Sequence, residues 1–453
     1  MKSYPVHLHF TQPTSKPFFY VSKELCQQFN LQHQRLIEIQ CGSQKTKAYV
    51  IKTNIGKHVL GVSPLLRQRL LIPYQGLIHM KRTDTGVRLG PVVGILTTVA
   101  FSTEEHPLGG RTSFFKHLLS IRPDPGSYYF VFTPEQVNWD NMSVEGFFLT
   151  DDHTKWQKKI APLPDVVYDR VPNRTMDRTK KVIECKERIK NLHIPMFNQG
   201  FFNKWNIHQR LSNHPAVKEY IPETYMVPSL RAIQKMLSRH QMIYLKPSGG
   251  SLGLGIIKVT HHPVKGLLCR YRKGNHNVLR QFDSVQTMMD HLFAGTKRLQ
   301  NYLVQQGIQL AKVNNRPVDF RIHLNKNREN QWKITGIGAK VAGWGSVTTH
   351  VRTGGTITSS QNIFHTLFGP NGDVIRQNLE DAAIRLAETL EFSFSEPLGE
   401  LGFDIGIDKN GHIWMFEANS KPGRSIFKHP SLKTGDQLSC RSILDYGFYL
   451  SQF

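Results

Sequence analysis

The stretch GELGFDIGIDKNGHIWMFEANSKPGR, residues 399–424, says more about the fold than any other part of the chain. Two short apolar segments, 401–407 and 412–417, flank the polar sequence DKNG at residues 408–411, which is typical of a turn. This pattern predicts a β-hairpin. The stretch then ends in a glycine-containing turn that carries a cation, Arg424.

The predicted hairpin holds three oxygen donors, Asp404, Glu417 and Asn419. Glu417 and Asn419 are two residues apart, so they share one face of the second strand. A two- or four-residue loop would put residue 404 opposite residue 415 and Asp404 on that same face. A three-residue loop with a bulge would separate the set. Because Mg²⁺ prefers oxygen donors and usually also keeps substrate phosphates in its shell, the first register predicts a magnesium site beside phosphates.

Size and composition limit the class of protein. A chain of 453 residues with 39% hydrophobic residues can form two or three packed domains. Residues 1–11 lack the apolar core of a signal peptide, and the longest nearly apolar run, 90–101, is shorter than the roughly 20 residues of a membrane helix. Five scattered cysteines without a Cys-x-x-Cys pair indicate reduced thiols. We therefore expect a soluble, non-exported, cytoplasmic protein with no membrane span.

Positive charge is the unusual global property. Lys and Arg number 58 against 34 Asp and Glu, for a formal net charge of +24, and residues 1–90 hold 13 of the former and 3 of the latter. Such a field attracts anionic polymers and acidic surfaces, but it is also compatible with ordinary solubility and small anionic substrates. Both interpretations stay open. Nucleic acid is the less favoured partner, because the chain has no dense Lys/Arg run and no nucleic-acid motif.

The pattern along the chain predicts three regions. Residues 1–88 contain short strands between polar turns and predict a small basic β-rich domain. Residues 89–174 alternate buried strands with a helix and predict an α/β domain. From residue 175 to 453, strands come in hairpins with helices between them. This last arrangement predicts an α+β fold and not a doubly wound parallel sheet.

A glycine-rich loop, Ser248-Gly-Gly-Ser-Leu-Gly-Leu-Gly255, follows a predicted strand that ends at Lys246. Glycines let a backbone fold over phosphate and point N–H groups at it, and the lysine supplies a point charge. The loop is neither a P-loop nor a dinucleotide fingerprint, since no Gly-Lys-Ser/Thr and no helix follows. Alone, an ordinary hairpin tip explains it as well. Its position about 150 residues before the hairpin donors makes a phosphate site the better interpretation.

The segment 316–323 predicts a strand with Asp319, Arg321 and His323 on one face. Arg321 could clamp a phosphoryl group or a carboxylate, and Lys340 on the next predicted strand could add a cation to the same pocket. The alternative is the exposed polar face of a half-buried strand.

Together these motifs resemble the ATP-grasp superfamily of carboxylate–amine and carboxylate–thiol ligases over residues 175–453. The resemblance implies two α+β subdomains that clamp ATP, with Mg²⁺ held by Asp404, Glu417 and Asn419. It implies nucleotide contacts from Lys246 at the end of a strand and from the glycine-rich loop 248–255, which would form a flexible lid over the phosphates. It also implies contacts from the hinge strand 302–308 and, by a looser match, from Lys204. The implied nucleotide-binding residues are Lys204, Lys246, Ser248, Gly249, Gly250, Ser251, Gly253, Gly255, Gln305, Gln306, Gly307 and Ile308. One departure is Gln306, where the hinge commonly carries a Glu.

Within the superfamily, the chain looks similar to the endospore coat-associated ATP-grasp proteins of spore-forming bacilli, through residues 89–97, 246–253 and 417–423. This resemblance implies a pre-ATP-grasp-like domain at 89–174 and a ligase that activates an unknown carboxylate as an acylphosphate for attack by an amine. Arg321, Lys340 and Arg424 would be catalytic. It also implies association with the spore coat, with coat proteins or anionic polymers as partners of the basic N-terminal region. The alternative is a coat protein that binds ATP without turnover.

Overall fold

The computed structural model describes residues 3–54, 56–99, 102–103, 105–121, 126–249, 254–274, 276–293, 299–349 and 354–453. Three predicted lid residues, Gly250, Ser251 and Gly253, lie outside this described part. The five cysteines are unpaired and buried. Among the described helices, none combines the length and the hydropathy that crossing a bilayer requires.

The N-terminal strands form a closed barrel in the order β1-β5-β2-β4-β3-β7-β6. Its strands are β1 (Tyr4–Phe10), β2 (Phe18–Ser22), β3 (Leu36–Cys41), β4 (Gln44–Thr53), β5 (Val59–Val62), β6 (Gly76–Arg82) and β7 (Gly86–Gly90). Ser22 and Ser63 accept backbone N–H groups at the starts of helices α1 (Lys23–Gln28) and α2 (Pro64–Leu70). Closure pairs β1 with β6, so the barrel leaves no open edge there.

A mixed sheet follows, in the order β10-β11-β9-β8-β13-β14, with β12 paired to β11. Its strands are β8 (Val92–Leu96), β9 (Tyr128–Phe132), β10 (Val137–Asn138), β11 (Ser143–Leu149), β12 (Trp156–Pro162), β13 (Val166–Asp169) and β14 (Met196–Phe197). Strand β8 runs parallel to β9 and β13, and these three strands are buried throughout. Helices α3 (Thr112–Ser120), α4 (Arg174–Asp177) and α5 (Lys180–Asn191) belong to this part of the chain.

The third sheet is antiparallel, in the order β15-β20-β16-β17-β18-β19. Its strands are β15 (Thr224–Met226), β16 (Met242–Pro247), β17 (Ile257–His262), β18 (Gly266–Lys273), β19 (His276–Phe282) and β20 (Tyr302–Gln306). Helices α6 (Lys204–Ser212), α7 (Leu230–His240) and α8 (Val285–Phe293) lie in the same region. Apolar side chains of α7 and α8 form one core with β16 and β17, so a single face of the sheet is left for a cleft.

The fourth sheet has the order β24-β23-β22-β25-β26, with β21 paired to β22. Its strands are β21 (Lys312–Val313), β22 (Arg316–Lys326), β23 (Trp332–Val341), β24 (Thr356–Ser359), β25 (Glu400–Ile407) and β26 (Ile413–Asn419). Helices α9 (Ser360–Phe368) and α10 (Gly372–Phe392) cover its apolar face, and α11 (Lys433–Leu450) packs on the mixed sheet. Short 3₁₀ segments span Gly109–Arg111, Pro134–Gln136, Lys218–Tyr220, Gly369–Asn371, Ser425–Lys428 and Pro430–Leu432.

These hairpin-built sheets with covering helices match the predicted α+β class. The strand pairing changes from the barrel to the mixed sheet between β7 and β8, close to residue 88. The division of the chain into domains at 1–88, 89–174 and 175–453 stays a prediction.

Candidate functional site

A cleft of about 1390 Å³ lies between the third and fourth sheets. Eleven of the predicted site residues line it: Lys204, Lys246, Gln305, Gln306, Ile308, Arg321, Lys340, Asp404, Glu417, Asn419 and Arg424. The described lid residues Ser248, Gly249 and Gly255 do not line it, and neither does Gly307, whose N–H donates to the carbonyl of Met242 at 2.9 Å. Segments that are far apart in sequence therefore meet at one surface.

The register of the hairpin brings the three oxygen donors together, but it differs from the register that the sequence predicted. Asp404 pairs with Glu417 and Gly402 pairs with Asn419. The predicted pairing of residue 404 with residue 415 is wrong, because Ile407 pairs with Ile413 and the loop has five residues. An odd loop alone would turn Glu417 to the opposite face, but a bulge at Phe416 adds one residue and restores the alignment.

The long turn is stabilised by Asp408. Its carboxylate accepts hydrogen bonds from the backbone N–H of Asn410 at 2.9 Å and of His412 at 3.1 Å, and from the indole of Trp414 at 3.1 Å. Gly411 has a φ of +84°, a conformation that glycine adopts without strain. These contacts fix the conformation of the turn between β25 and β26.

Two cations hold the carboxylate of Asp404. Arg321 lies directly opposite Asp404 on the neighbouring strand, with Nε 3.0 Å from Oδ1 and Nη2 3.0 Å from Oδ2. The ammonium of Lys340 lies 2.7 Å from Asp404 Oδ1 and 3.0 Å from Asp319 Oδ1. The fork of a guanidinium and the point charge of an ammonium together fix the orientation of this acid.

Burial and charge act in opposite directions on this group of residues. Burial acts to lower the pKa of Lys340, but the carboxylates of Asp319 and Asp404 outweigh it and hold that pKa above its ordinary value. Burial raises the pKa of Asp319, against the effect of Lys340, and Asp404 adds to the rise. Thr349 also donates to Asp319. Lys340 is therefore a permanent cation in the floor of the cleft.

Lys246 reaches the cleft from the third sheet. Its ammonium donates to the side-chain oxygen of Gln305, whose Nε2 donates to Thr224 Oγ1 at 3.1 Å. Burial, and then the nearby charge of Lys204, lowers the pKa of Lys246 to about 8. Lys204 itself lies 3.7 Å from Glu417 Oε2. A desolvated ammonium held by a neutral amide is well suited to receive an anion.

The hinge strand β20 uses most of its polar groups internally. The N–H of Gln306 donates to the carbonyl of Glu223 at 2.8 Å, and the side-chain oxygen of Gln306 accepts from the N–H of Glu223 at 3.1 Å. The side-chain amide of Gln306 thus ties β20 to the segment that leads into β15. Ile308 lines the cleft beyond it.

Arg424 lines the cleft but contacts protein groups through each guanidinium nitrogen. Nε lies 3.1 Å from Asp436 Oδ1, and Nη1 lies 2.9 Å from Ser439 Oγ and 3.3 Å from Glu400 Oε1; Nη2 lies 3.3 Å from Cys440 Sγ. Its predicted contact with a substrate stays a prediction. These bonds show that Arg424 also anchors the turn after the hairpin.

A buried ionic network behind the cleft was missed by sequence reasoning. Glu400 is fully buried and contacts Tyr168 at 2.6 Å, His323 at 2.9 Å and Arg170 at 3.3 Å. Burial would raise the pKa of Glu400, but Arg170 and the other partners hold it well below its ordinary range. The partners are up to 232 residues away, so no local pattern could have revealed the network.

The donor set on the hairpin has the chemistry of a Mg²⁺ site. Two carboxylates and one amide oxygen occur on one face of paired strands, at positions that are partly open to the cleft. The side chains of Asp404 and Glu417 are 15% and 30% exposed. Oxygen donors from only a few side chains leave room for water and phosphate, as Mg²⁺ requires.

Comparison with known proteins decides the family. Residues 193–450 match the model of the YheC/D-like ATP-grasp family. The chain is 35% identical over 428 residues to endospore coat-associated protein YheD of Bacillus subtilis strain 168, covering 93% of this chain and 92% of that protein. The chain belongs to the YheC/D-like ATP-grasp family.

Two further proteins are similar to this chain at lower identity. Endospore coat-associated protein YheC of the same strain is 25% identical over 321 residues, covering 70% of this chain and 86% of that protein. The crystal structure of D-cycloserine synthetase DcsG is similar with a TM-score of 0.44 and 13% identity, over 77% of this chain and 98% of that one. As the family implies, the fold of this YheC/D-like chain is an α+β ATP-grasp fold.

Proposed function

We propose that this chain is an ATP- and Mg²⁺-dependent ligase that activates a carboxylate as an acylphosphate for attack by an amine. The observation that carries the proposal is the convergence on one cleft of a desolvated lysine, Lys246, and a clamped acid, Asp404, that lies opposite Glu417. ATP-grasp membership supports the nucleotide and the reaction class.

In this proposal the nucleotide lies between the third and fourth sheets. Lys246 and Lys204 attract its phosphates, and the hinge residues Gln305 to Ile308 face its base. The resemblance to the ATP-grasp superfamily assigns the phosphates to the glycine loop 248–255, of which residues 250–253 lie outside the described part of the chain. Asp404, Glu417 and Asn419 would hold Mg²⁺, which when bound neutralises charge on the phosphates.

The cations on β22 and β23 act on the reacting groups. Arg321 and Lys340 orient Asp404 and stabilise the negative charge that develops as the γ-phosphoryl group moves to the substrate carboxylate. The substrate amine then displaces phosphate from the acylphosphate. No protein nucleophile is needed for this sequence of steps, so binding and electrostatic stabilisation account for the catalysis.

The test is a substrate screen scored by ADP release. The protein is incubated with Mg-ATP and panels of amino acids, peptides and cell-wall precursors, and Glu417→Gln is compared with Glu388→Gln, which alters an exposed acid on α10. We expect substrate-stimulated ADP release that Glu417→Gln abolishes and Glu388→Gln preserves. ATP binding without stimulation by any panel would contradict the proposal.

A second candidate is a spore-coat protein that binds nucleotide without turnover. The observation that favours it is the closed, basic N-terminal barrel, together with the names of the two Bacillus subtilis relatives. Its surface would bind coat proteins or anionic polymers.

Coat association separates the two candidates. Lys47 and Lys52 are exposed on β4, so Lys47→Glu/Lys52→Glu changes barrel charge without touching the cleft. If spore-coat assembly is lost with this double variant but unaffected by Glu417→Gln, the second candidate is favoured. Loss of coat assembly with Glu417→Gln favours the ligase. Melting temperatures of both variants exclude misfolding as the cause.

A further inference from the structure

The cleft holds more positive charge than a nucleotide needs. Among the residues that the structure describes, ten lysines and arginines line it, against three acids, Asp319, Asp404 and Glu417. A nucleotide triphosphate with its metal carries only about two net negative charges, since the ion neutralises part of the phosphate charge. Much of the positive charge therefore needs another explanation.

Five of the ten cations have partners already described. Arg321 and Lys340 bind the acids on the floor, Lys204 lies near Glu417, Arg424 binds Asp436, and Lys246 binds Gln305. A sixth, Lys428, is exposed after the hairpin. The remaining four, which we name the rim cluster, are Lys258, Arg270, Lys312 and Arg316.

Like charges face each other within the rim cluster. Lys258 and Arg270 are directly opposite on antiparallel strands β17 and β18, an arrangement that destabilises a sheet unless something compensates it. Burial lowers the pKa of Lys258, and the charges of Arg270 and Lys312 lower it further. Within the described part of the chain, none of the four forms an ion pair with an acid.

A loop from the fourth sheet reaches this cluster. Nη1 of Arg270 donates to the carbonyl of Gly345 at 3.2 Å, and the guanidinium of Arg316 lies 5.8 Å from the ring centre of Trp344. Trp344 is 74% exposed, and Nε of Arg316 is buried without a hydrogen-bond partner. The two arginines of the rim cluster thus contact this loop, and Arg316 has a hydrogen-bond donor left unused.

We propose that the rim cluster binds a second anionic group, carboxylate or phosphate ester, on the acceptor substrate, which is therefore at least a dianion. The inference rests on the proposed ligase function, since the first anionic group is the carboxylate that reacts. The reacting carboxylate lies near the phosphates on the floor of the cleft, and the second anion is bound by the rim cluster across the same cleft. This arrangement selects acidic substrates by paired charges and not by an apolar pocket.

Calorimetry on the full chain tests the inference. With saturating Mg²⁺ and the non-hydrolysable analogue AMP-PNP, the binding of triglutamate, triglutamine and glycerol 3-phosphate is measured for the wild type, Lys312→Gln/Arg316→Gln and Lys428→Gln. Lys428→Gln is the matched control, because it removes a cation that lines the same cleft outside the cluster. We expect triglutamate to bind at least about tenfold more weakly to the double variant than to the wild type, because a charge-assisted hydrogen bond is lost. Its affinity for the control variant should be within about twofold of the wild-type affinity.

The arms of the experiment separate the alternatives. If only glycerol 3-phosphate loses affinity in the double variant, the second group is a phosphate ester and the site stands. A parallel loss of AMP-PNP affinity would assign the cluster to the nucleotide and overturn the inference. Two further results would also overturn the inference. In one, the wild type binds triglutamate and triglutamine equally and the double variant binds glycerol 3-phosphate as tightly as the wild type does. In the other, none of the three compounds binds the wild type. If AMP-PNP does not bind the wild type, the proposed ligase function fails. Weaker binding of the anions to the double variant than to the wild type would still support the anion site.

Discussion

Asp404 lies directly opposite Glu417 across the β25–β26 hairpin, and a one-residue bulge at Phe416 produces this alignment. The loop of the hairpin has an odd number of residues, which by itself would place the two acids on opposite faces. The bulge and the loop length compensate each other. The bulged Phe416 also presents its ring to Lys246, whose ammonium lies 5.5 Å from the ring centre. The hairpin thus supplies the acids and one wall of the lysine site together.

Replacement of Arg321 should affect catalysis more than nucleotide binding. Arg321→Gln removes both bonds to Asp404 and the cation beside the reacting groups, so we expect kcat to fall about 100-fold. Arg321→Lys keeps the charge but loses the two-pronged guanidinium geometry, so its kcat should lie between those of the wild type and Arg321→Gln. ADP release at saturating substrate measures the effect, with AMP-PNP binding as the control. A wild-type rate for Arg321→Gln would exclude the proposed role.

Nucleotide affinity should depend on pH through Lys246. Its pKa is lowered to about 8, and the ammonium is the form that attracts phosphate. The dissociation constant of Mg–AMP-PNP should therefore increase as the pH rises above about 8, approaching tenfold per pH unit. Calorimetry from pH 7 to 9.5 measures this dependence.

Lys246→Arg provides the control for this titration. A guanidinium stays charged over this range, so the dependence should be absent in the variant even if the affinity is lower. The same steep dependence in Lys246→Arg would assign the titration to another group.

Loss of the buried charge of Glu400 should destabilise the protein. Glu400→Gln leaves Arg170 and Arg424 without their shared buried anion, which costs about 3 kcal/mol in the free energy of unfolding. Urea unfolding measures the difference, with Glu388→Gln as the exposed control. A difference under about 1 kcal/mol would show that water or other groups compensate the arginines.

The pH dependence of stability gives an independent test of Glu400. Its pKa is lower in the folded protein than in the unfolded chain, so its contribution is complete above the unfolded value of about 4.3. The contribution declines as the pH falls below the unfolded value and is completely lost once the pH has fallen through the lower folded value. We therefore expect the stability difference between wild type and Glu400→Gln to be the same at pH 5 and pH 7. A difference that shrinks between pH 7 and pH 5 would contradict the lowered pKa.

The base of the glycine lid should be sensitive to one glycine and not to another. Gly255 has a φ of +74°, and a Cβ there would lie 2.9 Å from Cγ of Pro247, whereas a Cβ at Gly249 would meet no atom within 4 Å. Gly255→Ala should therefore lower stability by about 1 kcal/mol and weaken AMP-PNP binding. Gly249→Ala should leave stability unchanged. Thermal unfolding and calorimetry measure both, and equal effects of the two changes would contradict the strain argument.

Local patterns predicted the elements of the site well. The spacing of Glu417 and Asn419, the strand that carries Asp319 and Arg321, and the loop after Lys246 each follow from periodicity and turn chemistry over a few residues. Of the eleven predicted residues that line the cleft, Lys246, Arg321, Lys340, Asp404, Glu417 and Asn419 were proposed from these local rules, which place side chains on strand faces that the fold then brings together. Lys204, Gln305, Gln306 and Ile308 were instead implied by the resemblance to the ATP-grasp superfamily.

Other features lay beyond the reach of local patterns. The bulge at Phe416 depends on packing, since no turn or glycine signal marks it. The contacts of Arg424 with Asp436 depend on how helix α11 docks, and this packing occupies a side chain that the sequence had assigned to the substrate.

Strand periodicity and turn signals in the sequence predicted the fold class and the residue types of the site, and the order of the motifs along the chain gave the resemblance to the family. Only the tertiary structure decided which charges are compensated. Glu400 has its cations from both halves of the chain, and Asp404 has its own from two neighbouring strands. Lys258 and Arg270, in contrast, face each other without an acid among the described residues. Electrostatic free energy depends on distance and burial, and these are set by contacts between segments hundreds of residues apart.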